Sequence, residues 1–450
     1  MPLINHAGGG SSFAAIIQVT YTKGATCTCE LDGTVYTAPD TSGNYSFKVH
    51  HAGIWTVRAT RGSKTTSDTV VITADKEVKS AKLHILRIFG ISRDITNSSP
   101  AWARTDDAVG MTATASKGTV AGSSDFDDCY PWNGIARQTL STGDVMVKIP
   151  KFWYRRYREG NIEYIKIADA AVENFEVHPT FTISGKTTDC FYIQAYPPFA
   201  SNTTHSYVSK SATSKPTSTS GGADNPEFYK AATARGSGWS LFDLAALSAL
   251  QMLILFEFAN NDVQSVIGRG VVDTYNIPDT GGCDSVPGLT GIPAGMDGQV
   301  SVVWRGIEDL WGGLLYQITG VLTHLNAGQY VINTTPTKYN DYASFTYTLT
   351  YGIPTGSGSK YIVKVGLDPE KPWIMLPEYN GSTAQGSEST YMCDAINRPK
   401  NPSYTTYPMF NTYRGGGADG LFCIGEFFES GTSSTTVYVR MVYRPQQRRF

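Results

Sequence analysis

Three kinds of residue grouping in this chain can carry chemistry: adjacent carboxylates, cysteines and histidines, and interleaved cations and aromatics. Glu308/Asp309 and Glu426/Glu429 are carboxylate pairs of the kind that cleave glycosidic bonds when both face one cleft. Such pairs arise in any chain of 450 residues, so spacing alone assigns them no catalysis. Asp125, Asp127 and Asp128 alternate as calcium ligands do, but the glycine and distal glutamate of a calcium loop are missing, and a solvated acidic turn is expected. Gly185-Lys186-Thr187 imitates the end of a phosphate loop, yet Thr180 stands where its first glycine belongs. No Gly-x-Ser-x-Gly and no His-Glu-x-x-His occurs, and His50 and His51 are strand neighbours that point to opposite sides. The expectation is a protein without catalytic residues, metal or cofactor.

The seven cysteines are Cys27, Cys29, Cys129, Cys190, Cys283, Cys393 and Cys423. Cys27 and Cys29 lie two apart in a strand-like stretch, on one face, where they cannot easily bridge each other. No Cys-x-x-Cys is present, so seven reduced, mostly buried thiols are expected, as in a reducing cytoplasm. Lys151, Arg155, Arg156 and Arg158 interleave with Trp153, Tyr154 and Tyr157. That mixture can stack single-stranded nucleic acid. The net charge of −2 argues instead for a strand with one buried aromatic face, with no nucleic-acid partner.

The elements that position these groups are mostly short strands. Only 17% of residues are charged, against roughly 25% in an average soluble protein. Glycine, at 45 residues, and aromatics, at 12%, are abundant. Residues 14–84 alternate in short runs broken by the turns Asp32-Gly33, Ser42-Gly43 and Arg61-Gly62, which predicts a small antiparallel β-sandwich with Trp55 in its core. Residues 1–13 form an N-terminal arm that lacks a basic secretory start, and 85–142 read as a connector or small β region. Residues 143–450 form the largest domain, with 201–238 an exposed Ser/Thr/Gly-rich loop. One helix stands out over 240–262, capped by Ser240 with Asp243 three residues on. Apolar residues surround it, so it is expected to be buried, and its apolar run is too broken to span a membrane.

The segment from Gly43 to Thr60 resembles the bacterial Ig-like or carboxypeptidase-regulatory-like modules of surface and phage tail proteins, which act as spacers. Three further segments resemble phage and prophage tail proteins with a C-type-lectin-like domain: FYKAATARGSGWSLFDLAALSALQMLILFEFANNDVQSVIGRG (228–270), VVWRGIEDLWGGLLYQITGVL (302–322) and GGGADGLFCIGEFFESGTSSTTVYVRMVYRP (415–445). GDVMVKIPKFWYR (143–155) resembles the entry into that domain, which is also similar to formylglycine-generating enzymes and to retroelement-diversified variable proteins. Cys423 lacks the close cysteine partner those enzymes need, and Asn411-Thr412-Tyr413 stands where the variable proteins carry Gly-Gly-Ser-Trp.

The resemblance implies a mainly β fold with α+β character: an Ig-like sandwich, then a C-type-lectin-like domain with a buried central helix. It implies a tail-tip or fibre protein, assembled in the cytoplasm of a host bacterium, trimeric, seated on other tail or baseplate proteins and binding a host-surface glycan or protein. The alternatives are a glycan-degrading tail spike and a structural baseplate subunit. Arg305, Gly306, Glu308, Trp311 and Gly312 are assigned to a folding corner. The receptor-binding residues are expected to be Tyr413, Arg414, Ala418, Asp419, Phe422, Ile424, Glu426, Phe427, Phe428 and Glu429. For Phe422, Ile424 and Phe427 a place in the core or a trimer interface is the competing reading.

Overall fold

The computed structural model describes residues 13–183, 185–200, 207–211, 219–222, 231–274, 278–312, 314–324, 328–333, 345–353, 358–378, 386–398, 405–406, 408–410, 416–425 and 433–445. The fold is mainly β. The chain divides into two compact units, Met1–Arg87 and Ile88–Phe450.

In the first unit, seven strands make two sheets. β1 (Ala15–Tyr21) lies between β4 (Asn44–Val49), antiparallel, and β7 (Val78–Leu83), parallel, so the sandwich departs from the wholly antiparallel pairing expected, because a last strand far along the chain closes on the first. The other sheet runs β3 (Thr34–Thr37), β2 (Thr26–Leu31), β5 (Gly53–Arg61), β6 (Lys64–Ile72), antiparallel throughout. Strict alternation sends Ile17, Val19, Trp55 and Val57 into one core, and each such aliphatic side chain contributes about 1.5–3 kcal/mol by leaving water. Asp32 and Gly33 both take positive φ, 49° and 80°, the tight hairpin turn that an Asp-Gly pair favours. Cys27 and Cys29 point inward from one face, as their spacing requires.

The second unit begins at Ile88, so most of the expected connector belongs to it. β8 (Ile88–Asp94) pairs with β9 (Ala103–Asp106) and with strand Ile162–Ala168. Phe89, Ile91, Trp102, Phe126 and Trp132 enter the same core as the central helix. That helix, α1 (Leu244–Phe258), is buried on nearly every side, which its all-round apolar sequence demands. Its cap differs from expectation: the Asp243 carboxylate accepts from Ala246 N at 2.9 Å, while Ser240 lies in strand Trp239–Leu241, paired with Met441–Tyr443. Pairing holds Ser240 extended, so the helix cannot start before the first free backbone beyond it. Arg444 fixes the cap through bonds of 2.8 and 3.0 Å to Asp243. At the other end Arg104 donates to the carbonyls of Phe256 and Glu257, where the helix dipole is negative.

Five strands cover one side of this core: Glu176–Val177, Trp153–Glu159, Ile162–Ala168, β8 and β9, in that order. In another five-stranded sheet Met441–Tyr443 lies between Cys190–Gln194 and Trp239–Leu241. Much of the expected loop 201–238 lies outside the described residues. Within it, Tyr207–Val208 pairs with Phe199–Ala200, and Thr219–Gly222 pairs with Ser433–Tyr438. All seven cysteines are buried thiols outside any disulfide, as expected.

Candidate functional site

A cleft of about 400 Å³ opens where three distant segments meet: the exit from α1, the loop around Glu388, and the glycine-rich stretch at Gly417. α1 ends at Ala259 with φ of 49°, a left-handed turn after which Asn261 stays buried and Asp262 is half-buried at the surface. Asp262 caps the short helix Val263–Val266 by accepting from Ser265 N at 3.0 Å. Asn261 accepts from Trp102 Nε1 at 2.8 Å and donates to Tyr391 O at 2.7 Å, tying the helix exit to the Glu388 loop. Gln264, 5% exposed, donates to Gly416 O at 3.1 Å and so ties the same exit to the glycine-rich stretch.

The cleft's polar lining is Asp262, Asp297 and Glu388, with Arg269, Gln264, Ser265 and Ser389 beside them. Arg269 N donates to Asp297 at 2.7 Å, and its guanidinium is held by both oxygens of Asp273, at 2.5 and 3.1 Å. Glu388 is exposed and makes no hydrogen bond or ion pair among the described residues. Its side chain reaches over Gly417, where an added Cβ would sit 2.2 Å from Oε2, so only glycine leaves the carboxylate in place.

Behind this wall Asp394 accepts from Gly420 N at 2.8 Å and Phe422 N at 2.7 Å, pinning the glycine-rich stretch to the Glu388 loop. Burial raises its pKa well above the usual carboxylate range, and the nearby Asp419 and Asp262 add to that. The lining can accept hydrogen bonds from hydroxyl or amine groups and donate a few in return. Those are the polar contacts that fix a polyhydroxylated ligand.

Of the residues expected to contact a receptor, Ala418 is half-buried in the turn Gly416–Ala418, beside the cleft. Asp419, Phe422 and Ile424 are interior, 0–1% exposed, and Phe422 and Ile424 belong to the main core. A buried side chain offers a ligand no surface, so for these two the core reading fits the placement. Tyr413, Arg414, Glu426, Phe427, Phe428 and Glu429 lie outside the described residues. Asp262, Gln264, Arg269, Asp297 and Glu388 were not anticipated. They come from segments up to 126 positions apart (388 minus 262), and no local spacing marks them.

The corner Arg305–Gly312 supports the cleft from below. Trp311 is buried and donates to Gly268 O at 3.0 Å. Gly312, with φ of 88°, lets the backbones meet: a Cβ there would be 2.6 Å from Arg269 O. Arg305 binds Glu257 and Asp127, each at 2.8 Å. Glu308 and Asp309 are also interior and brace loops. Glu308 accepts from Gly281 N and Cys283 N at 2.8 and 3.0 Å, and Asp309 from Ser301 Oγ at 2.9 Å and Val302 N at 3.1 Å. Burial, with the Glu308 charge beside it, pushes the Asp309 carboxyl up to about 8. Neither lines the cleft.

Asp125 accepts from Thr112 at 2.7 Å and the acidic turn 125–128 is exposed save for Phe126. Among the described residues no cluster of three His, Cys, Asp or Glu is arranged to hold a metal. No described helix is long and apolar enough to cross a membrane. Compared with known protein families and with curated proteins, the chain matches none of them.

Proposed function

We propose that the chain is a receptor-binding protein of a phage tail tip or fibre, whose second unit recognises a host-surface glycan through the cleft at Asp262, Glu388 and Gly417. In this reading the second unit is a C-type-lectin-like domain and the first an Ig-like spacer. Assembly would be trimeric, on other tail or baseplate proteins, within the cytoplasm of the infected bacterium. The observation that carries the reading is the cleft: an open carboxylate and several donors held on backbone fixed by buried side chains. Such preorganisation lets weak polar contacts with a sugar act without a large ordering cost. Three copies would multiply them through avidity. Seven buried free thiols fit a part made and assembled under reducing conditions.

Glu388→Gln tests the reading, because that side chain supports nothing else in the fold. Losing a charge-assisted hydrogen bond costs about 1.5–3 kcal/mol, so adsorption of the labelled protein to host cells should weaken roughly ten- to a hundredfold. Unchanged adsorption overturns the cleft as the binding site. Shortened envelope polysaccharide after incubation would replace the adhesin with a glycan-degrading spike.

A further inference from the structure

The interleaved cations and aromatics of 151–158 are sorted by the strand into two faces. Tyr154 and Arg156 point inward with Glu163, Ile165 and Ile167 of the paired strand. There Arg156 binds Glu163 at 2.8 Å and the carbonyls of Ile374 and Gly366 at 2.7 and 2.8 Å. Trp153, Arg155 and Tyr157 point outward, joined across the register by Lys166, opposite Arg155, and Tyr164, opposite Tyr157. The rings keep part of their surface in solvent and Arg155 is exposed.

This outer face is ordered by its own contacts. Tyr157 and Tyr164 stack with centroids 5.0 Å apart and planes 14° from parallel. The Arg155 guanidinium lies 4.5 Å over the Tyr157 ring, and the Lys151 ammonium 5.5 Å over Trp153. Beyond Tyr164 the register continues through Ser92 and Ala103, so the neighbours of the Tyr164 ring on that side are small. Trp153 and Tyr157 are four strand residues apart, about 13 Å along one line.

We infer that this sheet face is a second binding surface, a platform for a neutral carbohydrate chain lying along the strand Trp153–Glu159. Its charge pattern selects the ligand class. Lys151 is neutralised by Asp189 at 2.7 Å and Lys166 by Asp106 at 2.9 Å, which leaves Arg155 as the cation of the row without a carboxylate among the described residues. A polyanion gains little from a face so balanced, and single-stranded nucleic acid needs a cationic track beside the stacking rings. A neutral sugar chain presents flat C–H faces to aromatic rings, and its hydroxyls meet both donors and acceptors at Arg155, Lys166 and Asp106. The inference does not depend on the cleft, which shares no residue with this face.

The test is affinity electrophoresis of the intact protein in native gels cast with hydroxyethyl cellulose, glucomannan or xyloglucan, and separately with polygalacturonate. Fluorescence titration with an oligothymidylate is run in parallel. The expected result is retardation in at least one neutral gel, reduced about tenfold in apparent affinity by Trp153→Ala and by Tyr157→Ala. Arg155→Glu changes an exposed side chain whose contact is the Tyr157 ring, and it should weaken the same retardation while the urea unfolding midpoint stays that of wild type. Glu388→Gln should leave it intact, which separates failure here from failure of the cleft. Retardation in no neutral gel, retardation of all three platform variants equal to that of wild type, or binding confined to polygalacturonate or oligothymidylate each overturns the inference.

Discussion

Replacing Arg305 by methionine should destabilise the second unit by about 3–5 kcal/mol, the cost of leaving a buried charge without its partner. Glu257, 1% exposed at its side chain, accepts four bonds of 2.8 Å: from Ser124 Oγ, Trp304 Nε1, and Arg305 Nε and Nη2. Methionine keeps the length and apolar stem of arginine but leaves the carboxylate with two neutral donors and Arg104, which on Glu257 bonds only the carbonyl, as the remaining nearby cation. Arg305 has a φ of 44°, and that backbone strain is common to both residues and cancels. The contact to Asp127 adds little, because that carboxylate is 64% exposed. Urea unfolding followed by tryptophan fluorescence measures the change through Trp132, Trp304 and Trp311, all in this unit. Neutralising the orphan with Glu257→Gln in the Arg305→Met background should recover part of the loss. A loss below about 1 kcal/mol, or a further loss in the double variant, would refute the reasoning, since either means Glu257 is not a buried charge that relies on Arg305.

Two further outcomes follow from burial. Asp309 stays protonated in the folded chain up to about pH 8, whereas unfolded it ionises near 3.8. Its contribution to stability is therefore full below pH 4 and lost as pH rises to 8, and wild type should lose stability relative to Asp309→Asn over that window in urea titrations. A parallel pH profile for the two proteins contradicts this. Burial also pushes the thiols of Cys27 and Cys29 up to about 11 and 12 and raises Cys190, Cys283 and Cys393. A thiol reagent at pH 8 should label none of the seven cysteines in the native protein and all seven in denaturant, and rapid native labelling would show that a thiol is accessible.

Much of the first unit was legible, because alternation of period two and Asp-Gly turns are local signals that read directly as strands and hairpins. The central helix was legible for the same reason, and the burial of Trp55 and α1 followed from pattern alone. The start of α1 was not: Ser240 is a good cap by type, but pairing with Val442 in a strand 202 positions away decides its backbone (442 minus 240). The cleft was not legible either. Its carboxylates are joined by Asn261, Gln264 and Asp394 bonding to distant backbone, and no window of sequence contains them together. Phe422 and Ile424 misled as contact residues because aromatic and aliphatic types serve a core and a recognition surface equally well. The mixed row at 151–158 could be divided only once the strand's pairing had fixed which side faces α1's core.

The claim that matters most is recognition of a host-surface glycan by the cleft. Equilibrium binding of the labelled protein to intact host cells, measured before and after periodate oxidation of their surface sugars, addresses it directly when wild type and Glu388→Gln are compared. Wild type should bind saturably, with binding that falls at least tenfold with the substitution and is abolished by periodate. Binding that survives periodate, or that is the same for both proteins, would contradict it.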